Sequence, residues 1–395
     1  MASKAGVSGR RAGNAVRIVH LTIVHRPDDV RIFLKECRTL AARGYEVVYV
    51  VPGGELGTVD GVRLHPIWQP RSRALRLAVG APIVLRAALQ ERAALYHLHD
   101  PELLPVGLVL RCLGRRVVYD AHEDLAAQIQ SKHWVPHILR KPIAALARGL
   151  ERFAARLFSG VVAAGEDVAR AIGSEGVVIL RNYPLLEELP RSSGLALSSR
   201  APQVVHIGGL SRIRASRELI QAIALVPDEL NVRLVLAGSF ARDGLEAEVR
   251  QLPGWDRVSF LGWSSRAQIG AVLADSRIGI VLFRPEPNHF GLRSNKVFEY
   301  MAAGLPIIGP NFPAWRALLE GESCGLAVDP TDSAAIADAI MKLLRDPRLA
   351  AEMGARGAQA VRTRYNWERE SAQLLSLYHR LLPGGPAPVA DRSSN

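Results

Sequence analysis

The residues best placed to do chemistry lie in one run, Arg293-Ser-Asn-Lys-Val-Phe-Glu-Tyr-Met-Ala-Ala-Gly-Leu-Pro-Ile-Ile308. Its middle spells a short amphipathic helix: Val297, Phe298, Met301 and Ala302 fall on one face, and Ser294 or Asn295 suits the N-cap. Gly304 supplies a left-handed stop and Pro306 forbids resumption. The preceding apolar run, Ile278-Gly-Ile-Val-Leu-Phe283, suits a buried parallel strand. A strand, a loop with Gly291 and Ser294, then a helix N-terminus make an anion site, because free backbone N–H groups and the helix dipole point the same way. Lys296 adds charge there. Glu299, one turn in, offers two acceptor oxygens suited to a vicinal diol such as ribose. A lone glutamate on a helix is otherwise a solvated surface residue, so the whole pattern carries the reading.

A second junction of this kind is Gly208-Gly209-Leu-Ser-Arg212-Ile-Arg214, between the strand starting at Val204 and a helix opening near Ser216. Small residues let the backbone approach a phosphate, and Arg212 and Arg214 bring cations. In the N-terminal half, Asp28, Asp29 and Arg31 follow the first strand and either line a cleft or, for Asp29, cap the next helix. Leu95-Tyr-His97-Leu-His99-Asp100 and Arg116-Val-Val-Tyr-Asp-Ala-His122 are strands running into C-terminal loops, where open parallel sheets bind ligands. His97, His99 and Asp100 are metal-ligand types at a spacing that matches no metal motif, so a structural or cleft-lining role is expected. His122 either faces a ligand or bonds a backbone carbonyl.

Strand Val16–Val24, a helix over about 31–43 and strand Glu46–Val51 form a strand–helix–strand unit that opens a doubly wound sheet. The organisation expected is an N-terminal Rossmann-like domain over 16–184, a linker over 185–202 and a second such domain over 203–365. Strands Val232–Leu236, Val258–Leu261 and Ile278–Phe283 and helices around 241–251 and 265–274 build the latter. Residues 1–15 and 383–395 read as disordered tails.

Taken together, these segments resemble the retaining GT-B glycosyltransferases of family 4. That resemblance implies an α/β fold of two doubly wound Rossmann-like domains facing across a cleft, with helix 366–382 packing back on the first. It implies transfer of a hexosyl group from a UDP- or GDP-linked sugar. It makes Gly208, Gly209, Arg212, Arg214, Ser294, Asn295, Lys296 and Glu299 the donor-nucleotide site, and His122, Arg214 and Lys296 the catalytic groups. It places Asp28, Asp29, Arg31, His99 and Asp100 on the acceptor side. No cofactor and no metal are implied, and the chain has no Asp-x-Asp pattern. The chain departs from the family in two places. Gly209 stands where an arginine is common, and Gly291 stands where a second glutamate usually precedes the ribose glutamate by eight residues, leaving Glu286, Asn288 or His289 to replace it. In the first loop the chain follows the subset with Asp29-x-Arg31-Ile-Phe-x-Lys-Glu36.

Composition narrows the partners. The chain has 395 residues, 48% hydrophobic and 22% charged, ordinary for two globular domains. Three unpatterned cysteines exclude a disulfide framework. The polar N-terminus is no secretory signal, and no apolar run is long enough to span a bilayer, so the cytoplasm is expected. The net charge of +12 is uneven, residues 1–195 carrying 27 basic against 18 acidic side chains. No nucleic-acid module is present, which leaves an anionic membrane or a phosphorylated substrate. Residues 132–158 set Trp134, Ile138, Leu139, Ile143, Leu146, Leu150 and Phe153 among Lys132, Arg140, Lys141, Arg148, Arg152 and Arg156. This stretch either lies on an anionic membrane, with a lipid-linked saccharide as acceptor, or is a solvated helix covering the sheet. A nucleotide-sugar epimerase and a non-catalytic membrane scaffold are the alternatives to a transferase.

Overall fold

The computed structural model describes residues 15–68, 73–131, 135–188, 196–286, 290–291 and 294–386. The tails, Lys132, Trp134, Asn288 and His289 therefore lie wholly or mainly outside the described residues. The chain divides into two compact units, residues 1–181 with 371–395, and residues 182–370.

The first unit is built on a sheet of β1 (Arg17–Leu21), β2 (Glu46–Pro52), β3 (Gly57–Val59), β4 (Val62–Ile67), β5 (Leu95–Leu98), β6 (Arg116–Ala121), β7 (Gly160–Ala163) and β8 (Val178–Ile179). Its order is β3-β4-β2-β1-β5-β6-β7-β8, parallel except for β3 against β4. The β3–β4 hairpin is an element the apolar pattern does not announce. Asp60 and Gly61 both have positive φ, 50° and 78°, the geometry of a two-residue Asp-Gly turn.

The two faces of this sheet differ. Val19, Leu21, Tyr96, Leu98 and Tyr119 pack into an apolar core on one face. On β1 and β5 the register sets His20 beside His97, and the alternation of strands carries His99 and Asp120 to the same side. That polar stripe is buried, His20, His97, His99 and Asp120 all being 2% exposed or less.

The expected helix after β1 is wound differently from a plain α-helix. Residues Val30–Cys37 form a wide π-type turn, with Leu34 N–H bonded to Asp29 O, and only Arg38–Ala42 is α-helical. Residues five apart then share a face, which turns Arg31 and Glu36 toward the same buried point. Arg31 Nε lies 3.3 Å from Glu36 Oε1. The helix Trp367–Leu381 contributes residues from Ser371 onward to this unit, with Tyr378 fully buried.

The second unit holds β9 (Gln203–Ile207), β10 (Arg233–Ala237), β11 (Val258–Gly262), β12 (Ile278–Ile280), β13 (Ile307–Pro310) and β14 (Gly325–Val328), all parallel in the order β11-β10-β9-β12-β13-β14. β12 is half the length its apolar run suggests: the ladder ends with Val281 N–H donating to Ile308 O at 2.9 Å, while Val281 and Leu282 stay buried. Strand order reverses between β9 and β12, so the loops after these two strands flank the crevice where doubly wound sheets bind ligands. In the first unit the same place lies between β1 and β5.

Candidate functional site

The loops after β9 and β12 bring one group of charged residues together. After β9, Gly208 takes φ +93° and the chain enters a short turn, Arg212–Arg214, before the helix Ser216–Leu225. Arg214 donates from Nη1 to Gly209 O at 2.7 Å. A Cβ on Gly208 would meet Lys296 Nζ at 2.5 Å, and one on Gly209 would meet Arg214 Nη1 at 2.5 Å. Both glycines are therefore the floor on which the two cations rest. The second loop is tied to the first by Arg284 N–H donating to Ile213 O at 2.7 Å.

After it comes the helix Asn295–Ala302. Ser294 occupies the N-cap position without a side-chain capping bond, so the first N–H groups are not satisfied by its hydroxyl. Tyr300, for which Gly279 leaves room, accepts from Ile207 N–H at 2.8 Å and fixes the helix against the end of β9. Gly304 closes the helix at φ +72°.

The electrostatics of this corner are those of an anion site. Lys296 Nζ is buried and has no hydrogen-bond partner. Burial first, then the Arg214 charge, lowers its pKa to about 7 against the opposing pull of Glu299. Burial also lowers Arg214. Behind them His206 is held neutral, lowered to about 3 by burial and the neighbouring cations, and bonds Ile280 O. Two crowded cations with a free ammonium want a polyvalent anion. Arg212 does not join them: it is half exposed and pairs with Glu248 at 2.5 Å, which also holds Arg217. An arginine two residues from Arg214 reads the same in sequence, but the turn sends it outward. Gly291 carries no side-chain group, and Glu286 is exposed.

The first unit holds a second group. His122, at the end of β6, is 2.9 Å from Asp120 Oδ2 through Nε2, so a carboxylate rather than a backbone carbonyl orients it. Asp29 caps the π-type turn, accepting from Arg31 and Ile32 N–H, and also takes His25 Nδ1 at 2.9 Å. Burial pushes Asp29 upward, but these bonds more than offset it and hold it at about 2. His25 is raised despite burial by its bond to Asp29 and the Asp100 charge. Asp28 is exposed beside Arg26.

Arg31, His99 and Asp100 are not on a surface. Arg31 forks onto Asp120 at 2.8 and 2.7 Å. Asp100 accepts from Thr22 Oγ1 at 2.7 Å and Ile23 N–H at 2.6 Å, stitching the loop after β1 to the end of β5. His99 bonds His20 at 2.8 Å. These three position the loop that carries His25 and Asp29 and the strand end that carries His122; they do not line a cleft themselves. Asp120, His20, His25 and Tyr378 belong to the group and went unassigned in sequence, because no local spacing links residues drawn from separate strands.

Comparison with known proteins decides the family. Residues 30–182 match the family described as "Glycosyl transferase 4-like domain", and residues 201–346 match "Glycosyl transferases group 1". Together the matches cover about three quarters of the chain. The chain belongs to the group 1 glycosyl transferases. N-acetyl-alpha-D-glucosaminyl L-malate synthase of Bacillus anthracis is 27% identical over 50% of this chain and 50% of its own. Phosphatidyl-myo-inositol mannosyltransferase of Mycobacterium leprae is 29% identical over 54% and 56%. The chain thus spans about half the length of the curated relatives it matches. Anabaena HepE in complex with UDP shares the GT-B fold at a TM-score of 0.69, with 16% identity over 93% of this chain and 100% of that one.

Proposed function

We propose that this protein is a retaining glycosyltransferase that draws its sugar from a nucleotide diphosphate bound on the second unit. The observation that carries the reading is the buried, unpartnered Lys296 ammonium beside Arg214, over two glycines and at an uncapped helix N-terminus. Glycosyl transfer passes through an oxocarbenium-like state while charge gathers on the departing diphosphate. Preorganised cations and N–H donors at that phosphate lower the barrier without a strong base. Glu299, one turn along, takes the ribose hydroxyls. In the first unit His122, steered by Asp120, is assigned to the donor sugar, and His25 with Asp29 to the acceptor.

The acceptor is proposed to be a lipid-linked saccharide, met at an anionic membrane surface. Its support is the helix His137–Leu157. Leu139, Ile143, Leu146, Leu150, Phe153 and Leu157 are exposed at alternating spacings of four and three, one continuous stripe. Arg140 and Arg156 lie to either side of it, Arg148 pairs with Asp124 and Arg152 donates to Ala171 O on the far side, and the one acid, Glu151, is buried on Tyr119. Among the described residues no helix is long and apolar enough to cross a membrane, so this helix would lie on one. The name of one relative, phosphatidyl-myo-inositol mannosyltransferase, accords with such a substrate.

Thermal-shift titration with UDP, GDP and ADP identifies the base, and mass spectrometry of the donor with and without lipid extract separates transfer from epimerisation. Glu299→Ala should weaken nucleotide binding by roughly ten- to a hundredfold, about 1.5–3 kcal/mol for a charge-assisted hydrogen bond. Unchanged affinity in a folded variant removes Glu299 from the site.

A further inference from the structure

Beneath His122 lies a cluster that glycosyl transfer does not use. His20 on β1, His97 on β5, His99 just after it and Glu36 on the π-type turn are all buried, and their donor atoms lie within 4.8 Å of one another. As a hydrogen-bond network it is badly balanced. Neither oxygen of Glu36 has a hydrogen-bond partner, nor has His97 Nε2. His20 Nδ1 and His99 Nε2 meet at 2.8 Å, sharing one hydrogen bond between two ligand nitrogens. The nearest cation, Arg31, forms its hydrogen bonds with Asp120 and Leu180 O and meets Glu36 only as an ion pair, Nε to Oε1 at 3.3 Å. A buried carboxyl group that makes no hydrogen bond is costly, and buried polar groups are otherwise almost always satisfied.

We propose that His20, His97, His99 and Glu36 bind one divalent transition-metal ion, zinc by the chemistry of the donors, as a closed structural site. Three imidazoles and a carboxylate make a four-coordinate set of the nitrogen-and-oxygen type zinc takes. A tetrahedral zinc with bonds of about 2.0–2.1 Å holds its ligand atoms about 3.3–3.5 Å apart. The cluster reaches that by drawing in roughly an ångström, with His20 and His99 moving slightly apart. The surrounding shell is already built for it. His99 Nδ1 lies 3.3 Å from Asp120 Oδ2, and the Tyr378 hydroxyl sits 2.8 Å from His97 Nδ1 and 3.3 Å from His20 Nε2. Histidines that ligate a metal with one nitrogen are commonly anchored through the other in this way. The ion would satisfy Glu36 and leave Arg31 and Asp120 as a neutral pair. It would also fix the strand end whose Asp120 orients His122.

A group of His99, Asp120 and His122 also comes together, but it needs the Arg31-paired Asp120 as a ligand. The test separates the two. Untagged wild-type protein, incubated with zinc chloride and passed through metal-free buffer, should retain about one zinc per chain by elemental mass spectrometry. Stripping it with dipicolinate should lower the melting temperature, and zinc but not magnesium should restore it. Cobalt chloride in place of zinc should give the intense visible bands of a tetrahedral site. Glu36→Gln and His20→Gln should abolish retention, and His122→Ala should keep it. No stoichiometric zinc or cobalt on the wild type overturns the proposal, whether or not the variants fold. So does loss of the metal in His122→Ala with retention in the other two.

Discussion

Lys296 shows how one side chain links the donor corner to a measurable pH dependence. With its pKa lowered to about 7 by burial and Arg214, it is about half neutral at neutral pH while the corner is empty. A diphosphate binds the protonated form, so binding above the free pKa must first bring a proton in. Nucleotide affinity should therefore be greatest below about pH 7 and fall by up to about tenfold per unit above it. Lys296→Arg should flatten the profile, since a guanidinium stays charged throughout. Calorimetry from about pH 7.5 to pH 9, well above the terminal phosphate's own pKa of about 6, reads this directly. A flat wild-type profile would place Lys296 away from the anion. Such residues were legible in sequence because each junction is contiguous: Gly208, Gly209 and Arg214 share one loop, Lys296 and Glu299 one helix. Arg212 shares the loop as well, yet Glu248, thirty-six positions on, draws it off, and nothing local encodes that pairing.

At the scale of elements, Gly208 and Gly304, both positive-φ glycines of the second unit, make unlike demands. Gly208, at φ +93°, has Lys296 where a Cβ would go, whereas Gly304, at φ +72°, has nothing within 4 Å. Either change to alanine should cost about 1–3 kcal/mol in backbone strain. Only Gly208→Ala should also displace Lys296 and lower nucleotide affinity, by at least tenfold if its charge-assisted contact is lost, worth about 1.5–3 kcal/mol. Chemical denaturation and nucleotide titration of both variants make the comparison, and equal affinities would show that Lys296 does not depend on the glycine floor. Helix 295–302 and its stop were readable because amphipathic spacing, Gly304 and Pro306 agree with one another. The π-type winding of Val30–Cys37 was not, since apolar spacing over so few turns fits either pitch. It is tertiary pairing of Arg31 with Asp120 and Glu36 that accompanies the wide turn. The β3–β4 hairpin had only its Asp-Gly turn to mark it, because β3 is three exposed residues long.

For the whole molecule, two consequences follow from the uneven charge and the buried histidines. His20, His97 and His99 are all lowered, chiefly by burial, and so stay neutral in the folded state. The unfolded chain takes up these protons near pH 6.5, so the stability they lend is complete above that pH and is lost as pH falls below it. The slope approaches about 1.4 kcal/mol per unit for each histidine. Glu36, raised by burial and Asp120, works the other way and offsets part of it. Melting of the first unit should thus fall steeply between about pH 6.5 and 5.5, and bound zinc would sharpen the loss, since only neutral imidazoles ligate. The second consequence concerns where the molecule sits. Its basic side chains crowd the half that carries the exposed stripe, where Leu146 and Phe153 are 75% and 55% exposed. Each cation near an anionic surface contributes only about 1 kcal/mol, screened over about 8–10 Å by salt, so the apolar stripe must supply the rest. Co-sedimentation should therefore favour anionic over neutral vesicles and weaken at high salt. Leu146→Glu with Phe153→Glu should abolish it at every salt concentration while leaving melting unchanged, because both side chains already face water. Lys141→Gln with Arg156→Gln should remove only the salt-dependent part. If the wild type ignores vesicles and instead dimerises through the stripe, the helix is a protein interface and the acceptor is a soluble saccharide.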